Sequence, residues 1–211
     1  MIPPPEPDRP EDVNSPSFWE DVYQRGEAGW DQGGPTPVFL RLLESKQFAP
    51  GKIIVLGAGR GHDAREFSRH GFTVTAVDFA ADAARDMRAL AEPTAPVEIL
   101  QADIFDLPPA LDGTFDYVLE YTCFCAIDPS RRAEYADLVA RLLKTDGIYV
   151  DMAFPLETGD SGPPFAVAVD DVITLFHARG FTLLHREFPR DSIQPRRRRE
   201  ELLIFQKSQE T

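Results

Sequence analysis

From Lys52 onward the apolar positions follow two alternating rhythms. Short runs rich in β-branched and aliphatic residues, such as "IIVL", "FTVTAVD" and "FDYVLEY", alternate with stretches whose apolar residues recur every three or four positions. The runs predict strands at 53–56, 73–77, 97–100, 115–120, 147–153, 181–187 and 201–206. The periodic stretches predict helices at 61–70, 80–91, 130–144 and 169–179. Such alternation predicts a Rossmann-like α/β fold: a central, mostly parallel seven-stranded sheet with helices on both faces. The last two strands leave no room for a crossover helix, so they are expected to pair antiparallel, giving one antiparallel strand at an edge. Upstream, "SPSFWEDVYQRGEAGWDQGGPTPVFLRLLES" predicts a short amphipathic helix capped by Ser15 or Ser17, a glycine-rich turn and a second helix over 37–45. Residues 16–50 thus form a helical cap or lid within one domain, 16–211. Residues 1–15 carry five of the 19 prolines and hardly any large apolar residue, the composition of a flexible tail.

Composition narrows the function more than the fold. Lys plus Arg number 22 against 35 Asp plus Glu, a net charge of −13, and that field argues against nucleic acid as a partner. There is no run of 18 apolar residues, and the start "MIPPPEPDRPEDVNSP" lacks the basic and apolar regions of a signal peptide. The expectation is a soluble cytoplasmic protein with no membrane partner. Cys123 and Cys125, the only cysteines, sit two apart in an apolar run. That suits packing residues in a reducing compartment better than a disulfide or a metal site, and no metal is expected.

The candidate chemistry begins at "IIVLGAGRGHD", a strand followed by glycines and a helix start, where backbone can approach a ligand closely. A phosphate-binding P-loop needs Lys and Ser/Thr after its last glycine, and none follows Gly61. A dinucleotide fingerprint needs G-x-G-x-x-G, whereas Gly57, Gly59 and Gly61 are spaced G-x-G-x-G and position 62 is His. With Asp78 closing the next strand, the spacing matches S-adenosylmethionine-dependent methyltransferases, a carboxylate there taking both ribose hydroxyls. Asp103 follows the third strand in "ILQADIFDLP", where it or the adjacent backbone binds the adenine amino group and Ile104 covers the ring. Glu120 and Tyr121 end the fourth strand. Ligands of open α/β sheets lie beyond the carboxyl ends of the strands, so Gly57, Asp78, Asp103 and Tyr121 are expected to converge. The plainer alternatives are glycines placed for packing, Asp78 and Asp103 as loop caps, and Tyr121 as core.

"FWEDVYQRGEAGWDQGGPTP", "GAGRGHDA", "VDFA", "ADIFDLP", "FDYVLEYTCFCAIDPSRRAEYADLVARLLKTDG", "SGPPFAV" and "RDSIQPRRRREEL" together resemble the thiopurine methyltransferase superfamily. Within it they resemble the halide/thiol methyltransferases best known from plants, for which "WDQG" and "YTCFCAI" are diagnostic, and "EYT" stands where mammalian thiopurine enzymes resemble "DRG". The resemblance implies a class I methyltransferase fold, S-adenosyl-L-methionine as cofactor and S-adenosyl-L-homocysteine as product. It implies that Trp19 and Trp30 pack around cofactor and active site, with Tyr23 where the plant enzymes have a further tryptophan. It places Gly57 beside the methionyl portion, Asp78 on the ribose, Asp103 and Ile104 on the adenine, and Tyr121 facing methyl transfer. Ala58, Gly59, Phe79 and Glu120 complete the expected cofactor contacts, and Tyr121, Trp19 and Trp30 are the expected catalytic residues. Val55 agrees, since this branch is apolar where many methyltransferases carry an acid. Two departures stand out: Glu120 replaces the usual Asp, and Arg196 to Glu200 reads "RRRRE" where the plant pattern resembles R-K-G-K-E, which puts that loop's conformation in question.

The implied reaction is in-line methyl transfer to a small soft nucleophile: a thiol, hydrosulfide, thiocyanate or halide ion. Attacking anion and cationic leaving group lose charge together, so alignment matters more than acid–base chemistry. An aromatic pocket can face the sulfonium at about 0.5–2 kcal/mol per contact. Trp19, Trp30, Tyr121, Phe124 and Phe154 are candidates, with Tyr121 donating its hydroxyl to the anion or holding the methyl donor in line. Phe18, Trp19 and "GPPF" at 162–165 act as lids. His62 reads as a helix-start cap or cofactor-carboxylate contact, and the arginines 196–199 as a solvated loop that can draw anions toward the site. The alternatives are a thiopurine or heteroaryl thiol methyltransferase, a chalcogen-oxyanion methylator, or an inactive cofactor-binding protein. A monomer or weak dimer acting on a small-molecule thiol or halide is expected.

Overall fold

The computed structural model describes residues 12–157 and 162–208. Its elements run α1 (Pro16–Gln24), α2 (Pro37–Glu44), β1 (Lys52–Leu56), α3 (His62–Arg69), β2 (Thr73–Asp78), α4 (Ala81–Ala89) and β3 (Val97–Gln101). They continue with β4 (Phe115–Tyr121), α5 (Arg132–Leu142), β5 (Leu143–Ala153), α6 (Val169–His177), β6 (Phe181–Glu187) and β7 (Glu201–Lys207). The strands form one seven-stranded sheet in the order β3-β2-β1-β4-β5-β7-β6. β1 to β5 pair in parallel, while β7 runs antiparallel to both β5 and β6. The reversed strand therefore lies one place inside the sheet, between β5 and β6, and β6 forms the outer edge.

Alternation along the strands divides the core into two layers. On β4, Phe115 and Val118 join a cluster with Tyr135, Val139 and Leu142 of α5 and Val172 and Phe176 of α6. Leu119 faces the opposite side, with Phe39 and Leu42 of α2, Phe67 of α3 and Met87 of α4, and Tyr117 and Tyr121 pack against it. This three-layer sandwich leaves the carboxyl ends of β1, β2, β3 and β4 along one rim. β3 and β1 sit on opposite sides of β2 and β4 follows β1, so the chain reverses its direction of travel across the sheet there, the place where open α/β sheets bind ligands.

Several local expectations change. Ser15 occupies the N-cap of α1 but makes no capping bond; its hydroxyl pairs with that of Ser17 at 2.8 Å. Helix α5 ends at Leu142 rather than 144, because Leu143 is extended and buried and pairs with Phe115 as the first residue of β5. Among the described residues two of four short 3-10 turns begin behind aspartates, with Asp103 accepting from the Phe105 amide at 2.9 Å and Asp128 from the Ser130 amide at 2.8 Å. Of the segment read as a tail, residues 1–11 lie outside the described residues. Residues 12–15 close a turn through Ser15 N–H to the Asp12 carbonyl, 2.9 Å. Among the described residues no helix is long and apolar enough to cross a membrane.

Candidate active site

Two adjoining cavities open on the rim. The first is lined by Trp19, Tyr23 and Trp30 of the cap, Gly57, Asp78, Phe79, Asp103 and Ile104, joined by Phe105, Cys123, Ile127 and Arg131. The second takes in Ala58, Gly59, Tyr121, Asp31, Thr36, Arg60, His62 and Asp63. Trp30, Gly57 and Thr122 line both, so the two are halves of one cleft. Every cofactor residue expected from the sequence lines one half or the other, with the exception of Glu120.

The glycine loop shows why it is built of glycine. Gly57, Gly59 and Gly61 have φ of +62°, +54° and +69°, the left-handed region. A Cβ on Gly57 would lie 2.8 Å from the Cys123 side chain, so the loop and the end of β4 close on each other only without one. A Cβ on Gly61 would lie 2.6 Å from Met87 of α4, so the third glycine serves packing rather than the cleft. Asp78 braces the loop: one oxygen accepts from Gly59 N–H at 2.9 Å and the other from Ala80 N–H at 3.0 Å. Burial pushes its carboxyl up to about 6 against the pull of those amides. Each oxygen keeps a lone pair for a ligand hydroxyl.

The cap folds over this loop as an aromatic cluster. Trp30 meets Trp19 edge to face at 5.5 Å and Tyr23 at 5.4 Å between ring centroids, and Trp19 donates its indole N–H to the Val13 carbonyl at 2.9 Å. Burial and the Asp78 carboxylate push the Tyr23 phenol up, so it stays protonated. On the adenine side expected from the sequence, Arg131 stacks on the Phe105 ring at 3.6 Å. Phe18 packs on Trp19 at 5.0 Å outside both cavities, Phe124 packs on Tyr135 at 5.4 Å in the core, and Phe154 lies under Arg196 at 4.7 Å. Of the "GPPF" segment, Phe165 donates its amide to the Cys125 carbonyl at 2.7 Å and lines neither half.

Glu120 turns away from the cleft, because consecutive residues of a strand point to opposite faces and Tyr121 takes the cleft side. It is buried, and one oxygen accepts from the Cys123 and Phe124 amides at 3.0 and 2.8 Å. That grip carries the chain through Thr122 at φ +64°, a strained conformation for a β-branched residue, on the wall common to both halves. Glu120 is a positioning residue for this turn. Its register partner Asp151 is buried beside it, and burial with the neighbouring Glu120 charge pushes the Asp151 carboxyl well up, so Asp151 holds the proton.

The second half carries, besides His62, charges that sequence spacing did not assign. Asp31 accepts from the Gly33 amide at 2.8 Å and pairs with Arg60, whose Nε also meets Asp86 at 3.1 Å. Burial works to raise Asp31, but the Gly33 amide and Arg60 outweigh it and hold the carboxyl low. His62 lies 3.3 Å from Asp31, and burial pulls it below its ordinary value despite that neighbour. Asp63 accepts from the Thr36 amide and hydroxyl at 2.6 and 2.9 Å, and burial raises it to about 6. Asp31 sits inside the "WDQG" motif, the one sequence signal that pointed to this group.

The arginine run divides. Arg197, Arg198 and Arg199 are exposed, but Arg196 is buried with its guanidinium 4.8 Å over the Tyr121 ring and Nη2 3.2 Å from the Trp30 carbonyl. Arg198, where the plant pattern has glycine, has φ +62°, so the loop keeps the glycine conformation with an arginine in it. The Tyr121 hydroxyl donates to Glu200, a buried residue 79 positions away. Cys123 and Cys125 are buried free thiols pushed up by burial and the Glu120 charge, and Cys123 also lines the first half of the cleft. Among the described residues no group of three or more His, Cys, Asp or Glu is placed to hold a metal ion.

The cleft suits a nucleoside joined to a charged amino-acid tail: an apolar half with one carboxylate, a charged half, and an aromatic cluster between. The family model described as thiopurine S-methyltransferase matches residues 14–210. "Probable thiol methyltransferase 2" of Arabidopsis thaliana is 30% identical over 198 residues, 92% of this chain and 87% of its own. Thiocyanate methyltransferase 1 of Brassica oleracea is 31% identical over 188 residues, covering 87% and 82%. In fold, the chain is similar to the Burkholderia thailandensis 1,6-didemethyltoxoflavin-N1-methyltransferase solved with S-adenosylhomocysteine, with a TM-score of 0.71, 20% identity and coverage of 92% and 87%.

Proposed function

Because the chain belongs to the thiopurine S-methyltransferase family and is an S-adenosylmethionine-dependent methyltransferase, we propose that it moves the methyl group in line to a small soft nucleophile, a thiol, hydrosulfide, thiocyanate or halide ion. The observation that carries this reading is the meeting of the two cavity halves at the Trp30 ring, with Tyr121 on the wall of the second half. In this reading Asp78 holds the ribose hydroxyls, Phe79 and Ile104 flank the adenine, and the charges around Asp31 and Arg60 receive the amino-acid end. When bound, S-adenosylmethionine supplies an electrophilic methyl group on a sulfonium. Trp19, Tyr23 and Trp30 offer ring faces to that cation, each well-placed contact contributing about 0.5–2 kcal/mol. The cap excludes water, and Tyr121 bounds the space in which the acceptor aligns.

The test is a panel of iodide, thiocyanate, hydrosulfide, methanethiol, thiophenols and thiopurines with released S-adenosylhomocysteine measured for each. Turnover of the small soft nucleophiles is expected. Turnover of thiopurines alone would move the assignment to heteroaryl thiols, and none at all would make the chain a cofactor-binding protein.

A further inference from the structure

Tyr121 brings a phenol to the acceptor side of the cleft, and a phenol has one proton to give. Here that proton is committed: the hydroxyl donates to the buried Glu200 carboxylate. What the Tyr121 oxygen has left is acceptor capacity. A halide or thiocyanate ion needs a donor and gains nothing from a lone pair backed by a carboxylate. A neutral thiol arrives with an S–H that matches it. The guanidinium of Arg196, 4.8 Å over the same ring with Nη1 lacking a hydrogen-bond partner among the described residues, supplies the neighbouring positive charge.

We propose that Glu200 is the proton acceptor for protonated thiol substrates, reached through the Tyr121 hydroxyl, and that this pair sets the enzyme's preference for thiols over halide and thiocyanate. The inference rests on the methyl-transfer reading above. The thiol S–H bond breaks and its proton passes to Tyr121 Oη as the phenol proton passes to Glu200. The freed sulfur pair forms the new bond to the methyl carbon, and the pair of the old carbon–sulfonium bond leaves with the donor's sulfur, now a neutral thioether. One proton is left on Glu200, balancing the positive charge the sulfonium brought, and it returns to solvent through Tyr121 after the product leaves. Burial and the Glu200 charge hold the Tyr121 phenol up, which suits a relay rather than a phenolate base.

The test compares wild type with Glu200→Gln and Tyr121→Phe at pH 7. In Glu200→Gln the ratio of kcat/KM for an alkyl thiol to that for thiocyanate should fall tenfold or more, and the loss should shrink for a thiophenol, which is already ionised. Calorimetry on the S-adenosylhomocysteine complex should show thiocyanate binding threefold or more tighter, because a negative charge is gone from beside the Tyr121 hydroxyl. A merely structural defect weakens both. Tyr121→Phe should lower the same ratio, and the double variant should be no worse than either single one; if Glu200→Gln does not fold, that ratio decides. An unchanged ratio, or thiocyanate binding that weakens, overturns the relay. Absence of turnover by the wild type would instead overturn the methyl-transfer reading.

Discussion

The proton of Asp78 is pulled in opposite directions. Bracing the glycine loop through the Gly59 and Ala80 amides calls for an ionised carboxylate, as does the proposed grip on two ribose hydroxyls, while burial has raised the group to about 6. The folded chain binds this proton more tightly than the unfolded one, so this group adds stability as pH falls through about 6 toward its ordinary 3.8. Ligand affinity moves the other way. Calorimetry with S-adenosylhomocysteine should show about a tenfold loss of affinity between pH 7 and 5, since each unit below the pKa removes tenfold of the ionised form. Asp78→Asn should bind on the order of 100-fold more weakly at pH 7, two hydrogen bonds to a charged group being lost, with that pH dependence gone. Unchanged binding in the variant would remove Asp78 from the ligand site.

Helix α1 and the β4–β5 pair lie at opposite ends of the stability scale. α1 has nine residues and none of them is buried. It rests on ring edges and on two bonds to α4, Glu20 to the Ala81 amide at 3.3 Å and Gln24 to Asp82 at 3.4 Å. A helix this short does not hold itself in water. Its amides should therefore exchange with deuterium far faster than those of β1 and β4, and slow tenfold or more when S-adenosylhomocysteine fills the cavity under Trp19; equal exchange with and without ligand would show that α1 is no lid. Glu120 and Asp151, facing each other in register, form the converse case. Folding takes up a proton to keep Asp151 neutral, because its folded value lies well above 3.8, so stability falls as pH rises. Asp151→Asn puts a neutral side chain beside Glu120 with no proton to take up. Its melting temperature should drop less between pH 6 and 8 than that of the wild type, and an equally steep drop would refute the shared proton.

Over the whole molecule, a net charge of −13 surrounds a cleft proposed to take anions as well as thiols. Raising ionic strength from about 0.01 to 0.15 M shortens the Debye length from roughly 30 to 8 Å. With sulfate as the salt, kcat/KM for thiocyanate should rise several-fold, while that for a neutral alkyl thiol stays within about twofold; a parallel change in both would mean that the field does not steer the substrate. Local pattern alone settled a good deal. Period and turn residues placed all seven strands and the candidate cofactor residues Gly57, Asp78, Asp103 and Tyr121 at strand ends, because a parallel sheet lines up those ends whatever the details of packing. Resemblance in "WDQG" and "YTCFCAI" pointed to the family. Packing decided the rest. Which of Glu120 and Tyr121 enters the cleft depends on which face of β4 each helix layer covers, and four arginines in a row gave no sign that Arg196 alone is buried. Thr36 with Asp63 and Tyr121 with Glu200 pair across 27 and 79 residues, distances over which side-chain spacing carries no periodic signal, so only the folded chain brings the second half of the cleft together.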